Sequence, residues 1–267
     1  MYTPSQEWGG VCDDRDMPLF YLRGLAGSKR TETANRHLSR YLAFVAGAAN
    51  AGGFLAVRQY TSHMSGVVAA MADNLALGST LLVLRGAGAV LTFLLGAMVT
   101  TLLVRWARSR EMESEYALAL ALEAALLVAF GVTGSEFHGG RVFGTVLLLC
   151  FTMGLQNAIL TKISDSVIRT THLTGMVTDS GISIGRIVAA RIGRQEVPLA
   201  PEWDRLRLLT SLIALFFVGG VTGALGFKRV GFLFTLPLAG VLLLLAAMPV
   251  FEDMRRNGNS RTNGHVG

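Results

Sequence analysis

Apolar stretches long enough to cross a membrane recur along most of the chain. A transmembrane helix needs about 20 predominantly apolar residues, and the hydropathy pattern predicts six such spans. They cover about 41–58, 86–104, 116–134, 142–161, 208–227 and 230–250. This pattern predicts an all-α polytopic membrane protein whose transmembrane domain covers residues 40–250.

Two further apolar segments are too short or too polar to make comfortable spans. One covers residues 67–77 and contains Asp73 and Asn74, and the other continues to Ala190 and contains Asp179. They follow the first and the fourth predicted spans. We predict that both are short broken or re-entrant segments.

Each short segment opens with almost the same six residues. Motif one, residues 61–66, has the sequence TSHMSG, and motif two, residues 170–175, has the sequence TTHLTG. The first threonine, the histidine and the glycine are identical, and the other positions exchange hydroxyl for hydroxyl or Met for Leu. Asn50 precedes motif one, and Gln156 and Asn157 precede motif two in a comparable place.

A hydroxyl, a histidine and a glycine at a helix start can hold a polar ligand. Ser or Thr can cap free backbone N–H groups there, and these groups attract anions together with the helix dipole. Histidine exchanges a proton near neutral pH, and glycine lets a ligand approach the backbone. The structural alternative is that the hydroxyls only cap and that each histidine bonds a neighbouring carbonyl. The predicted solute-binding residues are Asn50, Thr61, His63, Ser65, Gly66, Gln156, Asn157, Thr170, His172, Thr174 and Gly175.

Glu123 lies near the middle of the third predicted span. A charge at the bilayer centre costs roughly 2.5–3.5 kcal/mol on insertion scales, so this side chain is expected to face the bundle interior or a cavity. It is a candidate proton-coupling residue, and an interhelix tether is an equal alternative. Asp73 and Asp179 are the other candidate coupling residues because they follow the two motifs.

Composition agrees with a membrane protein, since 51% of the residues are apolar and only 16% are charged. The net charge of +6 is not clustered as nucleic-acid binding requires, so the expected partner is the lipid bilayer. If both short segments dip into the membrane and return, four basic loops lie in the cytoplasm and only the short turn at Lys228-Arg229 is misplaced. These loops are 105–110, 162–170, 191–207 and 252–261.

This six-span topology implies a two-fold internal repeat. The halves, at about 40–134 and 141–250, contain three spans each and are therefore inverted in the membrane, a pattern that places a site near the midplane. Residues 1–39 and 251–267 become cytoplasmic tails. The alternative is a topology of eight spans, in which both short segments cross the membrane fully. It would place residues 105–110 outside the cell.

Signatures of catalysis and of metal binding are missing from the sequence. It contains no HExxH, no GxSxG, no P-loop and no dinucleotide fingerprint. Cys12 and Cys150 form no CxxC pair, and neither motif histidine has further ligands at metal spacing. We therefore expect no enzyme activity, no cofactor and no metal.

Motif two, preceded by Arg169, and the run MGLQNA at 153–158 together resemble the YoaK-like family of bacterial inner-membrane proteins, which is domain-of-unknown-function family 1275. The likeness covers about 40–250. Family members commonly carry Thr-Gly-Asn where this chain has Ser65-Gly66-Val67, and Asp-Ala where it has Asn50-Ala51. The resemblance implies a multi-pass protein of the bacterial inner membrane and brings no substrate.

The leading functional hypothesis is a secondary transporter of a small polar or anionic solute, with proton coupling through Glu123 as one form. A passive channel is the first alternative, because paired re-entrant half-helices also suit pores. A non-transporting membrane scaffold or sensor is the second alternative, in which the motifs only fix the fold. The sequence leaves homo-oligomerisation open.

Overall fold

The apolar segments form helices in the computed structural model of the protein. The structure describes residues 32–57, 59–110, 112, 115–133, 142–163, 173–193 and 199–247. The helices are α1 (Glu32–Val57), α2 (Met64–Ala76), α3 (Thr80–Ser109), α4 (Ala117–Thr133), α5 (Val142–Ile163), α6 (Leu173–Ile192), α7 (Ala200–Val230) and α8 (235–247), with a 3-10 turn at Gly231–Phe234. No strand occurs in this described part of the chain.

Within the described residues, three helical segments are long and apolar enough to cross a membrane. They are α3, α5 and the run Ala200–Ala247, while the apolar segment of α4, Ala117–Val132, is shorter. The 30 residues of α3 extend about 45 Å, which exceeds the roughly 30 Å of bilayer hydrocarbon. These segments confirm an all-helical protein with membrane-spanning character.

Several helices extend beyond the predicted spans. The first begins at Glu32, inside the segment predicted as a tail, and Leu38 is already fully buried. The third begins at Thr80 rather than 86, and α7 begins at Ala200 rather than 208. Hydropathy locates only the apolar part of such a helix, because charged end residues can continue the helix outside the bilayer.

The first helix packs against α7, and the two run in the same direction. Gly219 contacts Phe44, Gly223 contacts Ala48 and Gly52 contacts Phe227, so the residue numbers rise together along both helices. An added Cβ on Gly47 or Gly219 would overlap a backbone carbonyl oxygen of the other helix. The backbones therefore touch where the glycines lie.

The third and fifth helices pack in the same manner. Gly88 faces Phe143, and the Thr100 hydroxyl donates a hydrogen bond of 3.0 Å to the Leu155 carbonyl oxygen, so this pair is also parallel. An added Cβ on Gly96 would overlap the Phe151 carbonyl oxygen, and one on Gly154 would overlap that of Phe93. Such close approach of small residues is a standard way to pack helices in lipid.

The first and fifth helices connect these two pairs and run in opposite directions. Gly53 lies near Leu149, while Gln156 Nε2 donates to the Leu42 carbonyl oxygen at 3.4 Å. The largest hydrophobic cluster collects buried residues mainly of α1, α4, α5 and α8, together with Val104 of α3 and Tyr116 before α4. The four helices enclose the main core of the described chain.

The two short segments form helices that fold back against the next helix. Gly78, with φ of +71°, makes the turn between α2 and α3, and Met71 then packs against Gly86. The sixth helix pairs with α7 through Asp179 and Arg205, whose charged atoms are 3.1 Å apart. Motif one thus begins a helical hairpin, and the described residues of motif two lie in the first turn of another.

The run Ala200–Ala247 also turns back on itself. Gly231 has φ of +68°, and the Phe227 and Phe234 rings are 5.6 Å apart. Eight residues of continuous helix would separate Gly226 and Phe234 by about 12 Å, but the Phe234 ring fills the space beside Gly226. The chain therefore reverses at this glycine.

Candidate functional site

The chain turns sharply between α1 and α2, where motif one begins. Thr61 and Ser62 are buried, and the Ser62 hydroxyl donates a hydrogen bond of 2.9 Å to Asn50 Oδ1. The Tyr60 ring stacks on Phe54, with centroids 4.8 Å apart. These contacts hold the start of α2 against the last turns of α1.

The prediction that hydroxyl groups cap this helix is wrong for motif one. His63 is the N-cap residue of α2, and no side chain caps the helix. Ser65 lies within the first turn and is exposed, while Ser62 uses its hydroxyl on Asn50 instead. The N-terminus of α2 consequently keeps first-turn N–H groups without a side-chain cap.

A cavity of about 580 Å³ lies beside this helix start, between α2, α3 and the first turns of α5. Its polar lining residues are Gln59, Tyr60, His63, Asn74 and Arg85. Its apolar lining residues are Phe54, Gly66, Val67, Ala70, Met71, Leu82, Gly86, Ala89, Val142, Phe143 and Val146. The volume is within the usual range of small-molecule sites.

One face of α2 supplies the inner wall of the cavity. His63, Val67, Ala70 and Asn74 recur at helical spacing, so they point to the same side. Asn74 Nδ2 donates to the Ala70 carbonyl oxygen at 2.6 Å, which fixes the amide. Opposite them, the Arg85 guanidinium carbon lies 5.9 Å from the centre of the Phe143 ring.

Of the residues predicted for motif one, His63 and Gly66 line this cavity. Asn50 and Thr61 support the turn behind it, and Ser65 is exposed outside the lining. The His63 ring lies 5.9 Å from the Tyr60 ring. The structure therefore brings together part of the predicted set, in a cavity rather than at a bare helix end.

The amides predicted from the fifth helix are buried away from the cavity lining. Gln156 is fully buried, and its Oε1 has no hydrogen-bond partner. Asn157 Nδ2 donates to the Met153 carbonyl oxygen at 2.7 Å. Both side chains lie in the packed centre of the bundle.

Motif two is described only in part. Thr170 and His172 lie outside the described residues, whereas Thr174 and Gly175 are exposed in the first turn of α6. Further along, Asp179 pairs with Arg205, and Arg186 Nη1 lies 2.8 Å from a Glu202 carboxylate oxygen. Acidic and basic side chains of α6 and α7 therefore bind each other along this hairpin.

The hydrogen bond from Arg186 lowers the pKa of Glu202, because it favours the charged carboxylate. Glu202 lies in the first turn of α7, before the apolar part of that helix. The two ion pairs join the second turn and the middle of α6 to the first turns of α7.

The three predicted coupling residues have different surroundings. Glu123 is fully buried in α4, and both of its carboxyl oxygens lack a hydrogen-bond partner. Asp73 is exposed on α2, beside but not among the cavity residues. Of these three residues, Asp179 alone forms an ion pair with a described cation. The three therefore do not form one cluster.

The described residues contain no group of three or more His, Cys, Asp or Glu side chains that could hold a metal ion.

Sequence reasoning missed several cavity residues, namely Gln59, Tyr60, Asn74 and Arg85. The sequence signal that could have identified part of this set was Arg85, an arginine at the border of a long apolar segment. Its significance depends on the hairpin, which brings α2 against α3.

Long apolar helices and the absence of strands among the described residues indicate a membrane-embedded helical protein. A family model described as a protein of unknown function (DUF1275) matches residues 38–248. The chain belongs to this family, and the resemblance seen in motif two and the MGLQNA run is confirmed. No curated protein and no solved structure matches the chain.

Proposed function

We propose that this protein is a secondary transporter of a small polar or anionic solute. The observation that carries the proposal is the cavity of about 580 Å³ at the start of α2, lined by His63 and Gly66 of motif one. Interrupted helices at membrane depth are tolerated where they are buried or line a cavity, and transporters bind solutes at such breaks.

The proposal includes an inverted internal repeat. Phe44, Gly47 and Asn50 of α1 have the same spacing as Phe151, Gly154 and Asn157 of α5. These two helices run in opposite directions, as the first helices of inverted halves would. The repeat gives motif two the same role on the other side of the membrane.

The crossings of the helices support the same symmetry. The first helix of one half packs against the third helix of the other half in both cases, α1 with α7 and α5 with α3. Each crossing uses a phenylalanine and a glycine three residues later on both helices. In this proposal the six spans cross the inner membrane, and both chain termini are cytoplasmic.

Proton coupling through Glu123 is part of the proposal. A carboxyl group that is fully buried without hydrogen-bond partners favours its neutral form, because an isolated charge in an apolar interior is costly. A proton carried in by this group, and released when water reaches it, would link solute movement to the proton gradient. No catalytic step is proposed.

Reconstitution in liposomes tests the proposal. Radiolabelled phosphate, succinate and glutamate are supplied outside, with an inward proton gradient and a trapped pH dye. Saturable accumulation above equilibrium is expected for at least one solute, and it should fall in His63→Ala and His172→Ala. His265→Ala, beyond the family-matched segment, is the control.

The outcomes separate the alternatives. Unchanged flux in both motif variants would remove the histidines from the mechanism. Flux that neither saturates nor exceeds equilibrium would indicate a passive channel instead. Glu123→Gln should retain solute binding and lose the dependence of accumulation on the proton gradient.

A further inference from the structure

The cavity beside α2 has polar ends and an apolar middle. His63 and Asn74 mark the two ends of the helix face that lines it. They are eleven residues apart, which corresponds to about 16 Å along the helix. Val67, Ala70 and Met71 lie between them. A ligand that fills the cavity meets both kinds of surface.

Arg85 gives one end of the cavity a positive charge. It is the only Lys, Arg, Asp or Glu among the described lining residues, and no described carboxylate is within ion-pairing distance of it. Its guanidinium lies over the Phe143 ring, which holds its position without neutralising it. An unpaired guanidinium presents several donors in a fixed geometry that suits oxyanions.

The apolar wall argues against a simple inorganic anion as the occupant. A small oxyanion keeps acceptor positions on all sides, and burying it against apolar groups without donors is unfavourable. Met71, Phe143 and Val146 offer no donors, but they can cover the hydrocarbon or aromatic part of a larger ligand. The ligand must therefore combine an anionic group with an apolar body.

We propose that the cavity binds an amphipathic organic anion, meaning a carboxylate, sulfonate or phosphate group attached to an apolar body. Arg85 and Asn74 bind the anionic group, and the apolar body lies along Val67 and Val146. Arg85 is the residue that determines charge selectivity. This inference rests on the proposed transport function for its biological meaning, and its test measures binding rather than flux.

The probe is benzenesulfonate, which stays anionic at every working pH. Binding is measured as a dose-dependent rise in the unfolding temperature of the full chain in phosphatidylcholine nanodiscs. Benzenesulfonamide is the neutral match, and sulfate is the anion without an apolar body. We expect benzenesulfonate to bind at least tenfold more tightly than either.

Arg85→Gln should weaken benzenesulfonate binding at least tenfold, whereas Arg105→Gln should leave it unchanged. Arg105 is the matched control because it is an exposed arginine near the other end of α3. Equal binding of the sulfonamide, equal binding of sulfate, or an Arg85→Gln variant that binds as well as the parent would each overturn the inference. Arg85→Lys should bind with intermediate affinity, which separates loss of charge from loss of folding.

The same anion could belong to a soluble molecule or to a lipid headgroup, and a second arm distinguishes these sources. Nanodiscs with added phosphatidylglycerol are compared for the parent and Arg85→Gln. Stabilisation by the lipid that depends on Arg85, and competes with benzenesulfonate, supports the same site with a lipid source. No Arg85-dependent stabilisation in either arm overturns it. Benzenesulfonate binding without any flux of labelled benzenesulfonate in the same liposome assay would contradict transport and leave the binding site standing.

Discussion

The crossing of α1 and α7 makes a sharp prediction about two neighbouring glycines. A Cβ added at Gly219 would lie 2.9 Å from the Phe44 carbonyl carbon and closer still to its oxygen, whereas ordinary contact begins at 3.4 Å. Backbone atoms cannot rotate away as a side chain can. The Gly219→Ala variant must therefore move the two helices apart along their contact.

The next glycine is a matched control in the same helix. A Cβ at Gly220 would meet only the Gly47 carbonyl oxygen, at 3.8 Å, which is an ordinary distance. Forcing an extra methyl group into a tight contact costs about 1–3 kcal/mol. Replacing a helical glycine by alanine elsewhere gains roughly 0.5–1 kcal/mol, because the backbone loses less entropy on folding.

The two substitutions should consequently have opposite signs. For a chain of this size, each kcal/mol shifts the unfolding temperature by about 2–4 °C. Gly219→Ala should unfold roughly 2–12 °C below the parent, and Gly220→Ala at or slightly above it. Intrinsic fluorescence during heating in detergent measures both. Equal unfolding temperatures for the two variants would refute the close crossing.

Three further predictions concern local contacts. Ser62→Ala should cost about 1–3 kcal/mol of stability, since it leaves the buried Asn50 oxygen unpaired, while exposed Ser65→Ala should change thermal unfolding little. Cys150 is buried, so in a Cys12→Ser background a membrane-permeant maleimide should label the thiol only after denaturation; labelling of the folded protein would contradict its position. The lowered pKa of Glu202 means that its contribution to stability is present above the ordinary carboxyl pKa and is lost as the pH falls through the lowered value. The unfolding temperatures of the parent and Glu202→Gln should differ at pH 7 and converge in acid, and a constant difference would exclude this ion pair as the cause.

Hydropathy predicted the helices well where apolar residues fill the whole element. The segment expected at 116–134 is α4 at Ala117–Thr133, and the segment expected at 142–161 is α5 at Val142–Ile163. The same pattern placed the start of α1 too late, because the charged and polar residues before 41 are helical as well. The part of a helix that extends beyond the hydrocarbon layer leaves no signal in the hydropathy pattern.

The site was harder to predict than the helices. Motif one identified His63 and Gly66, since a duplicated polar sequence after a span stands out from an apolar chain. Arg85 and Asn74 were visible in the sequence, but their place in the cavity depends on how α2 folds against α3. A single sequence gives the spacing of residues along a helix. It does not show which other helix packs against a given face.

The capping expectation failed for a related reason. A serine near a helix start can bond the free N–H groups of that helix or a distant acceptor, and propensity cannot decide between them. Here Ser62 bonds Asn50, twelve residues earlier. The tertiary contact therefore replaced the local one.

The pairing of α1 with α7 has a consequence for how the chain is made. The glycines of α1 find their partner helix only when residues 200–230 have been synthesised. At about 5–20 residues per second, that helix is completed roughly 10–35 s after α1. Until then the face of α1 that bears these glycines has no partner helix. Because α1 packs against α7 and α3 packs against α5, fragments 1–134 and 141–267 should each be unstable alone and stable when produced together.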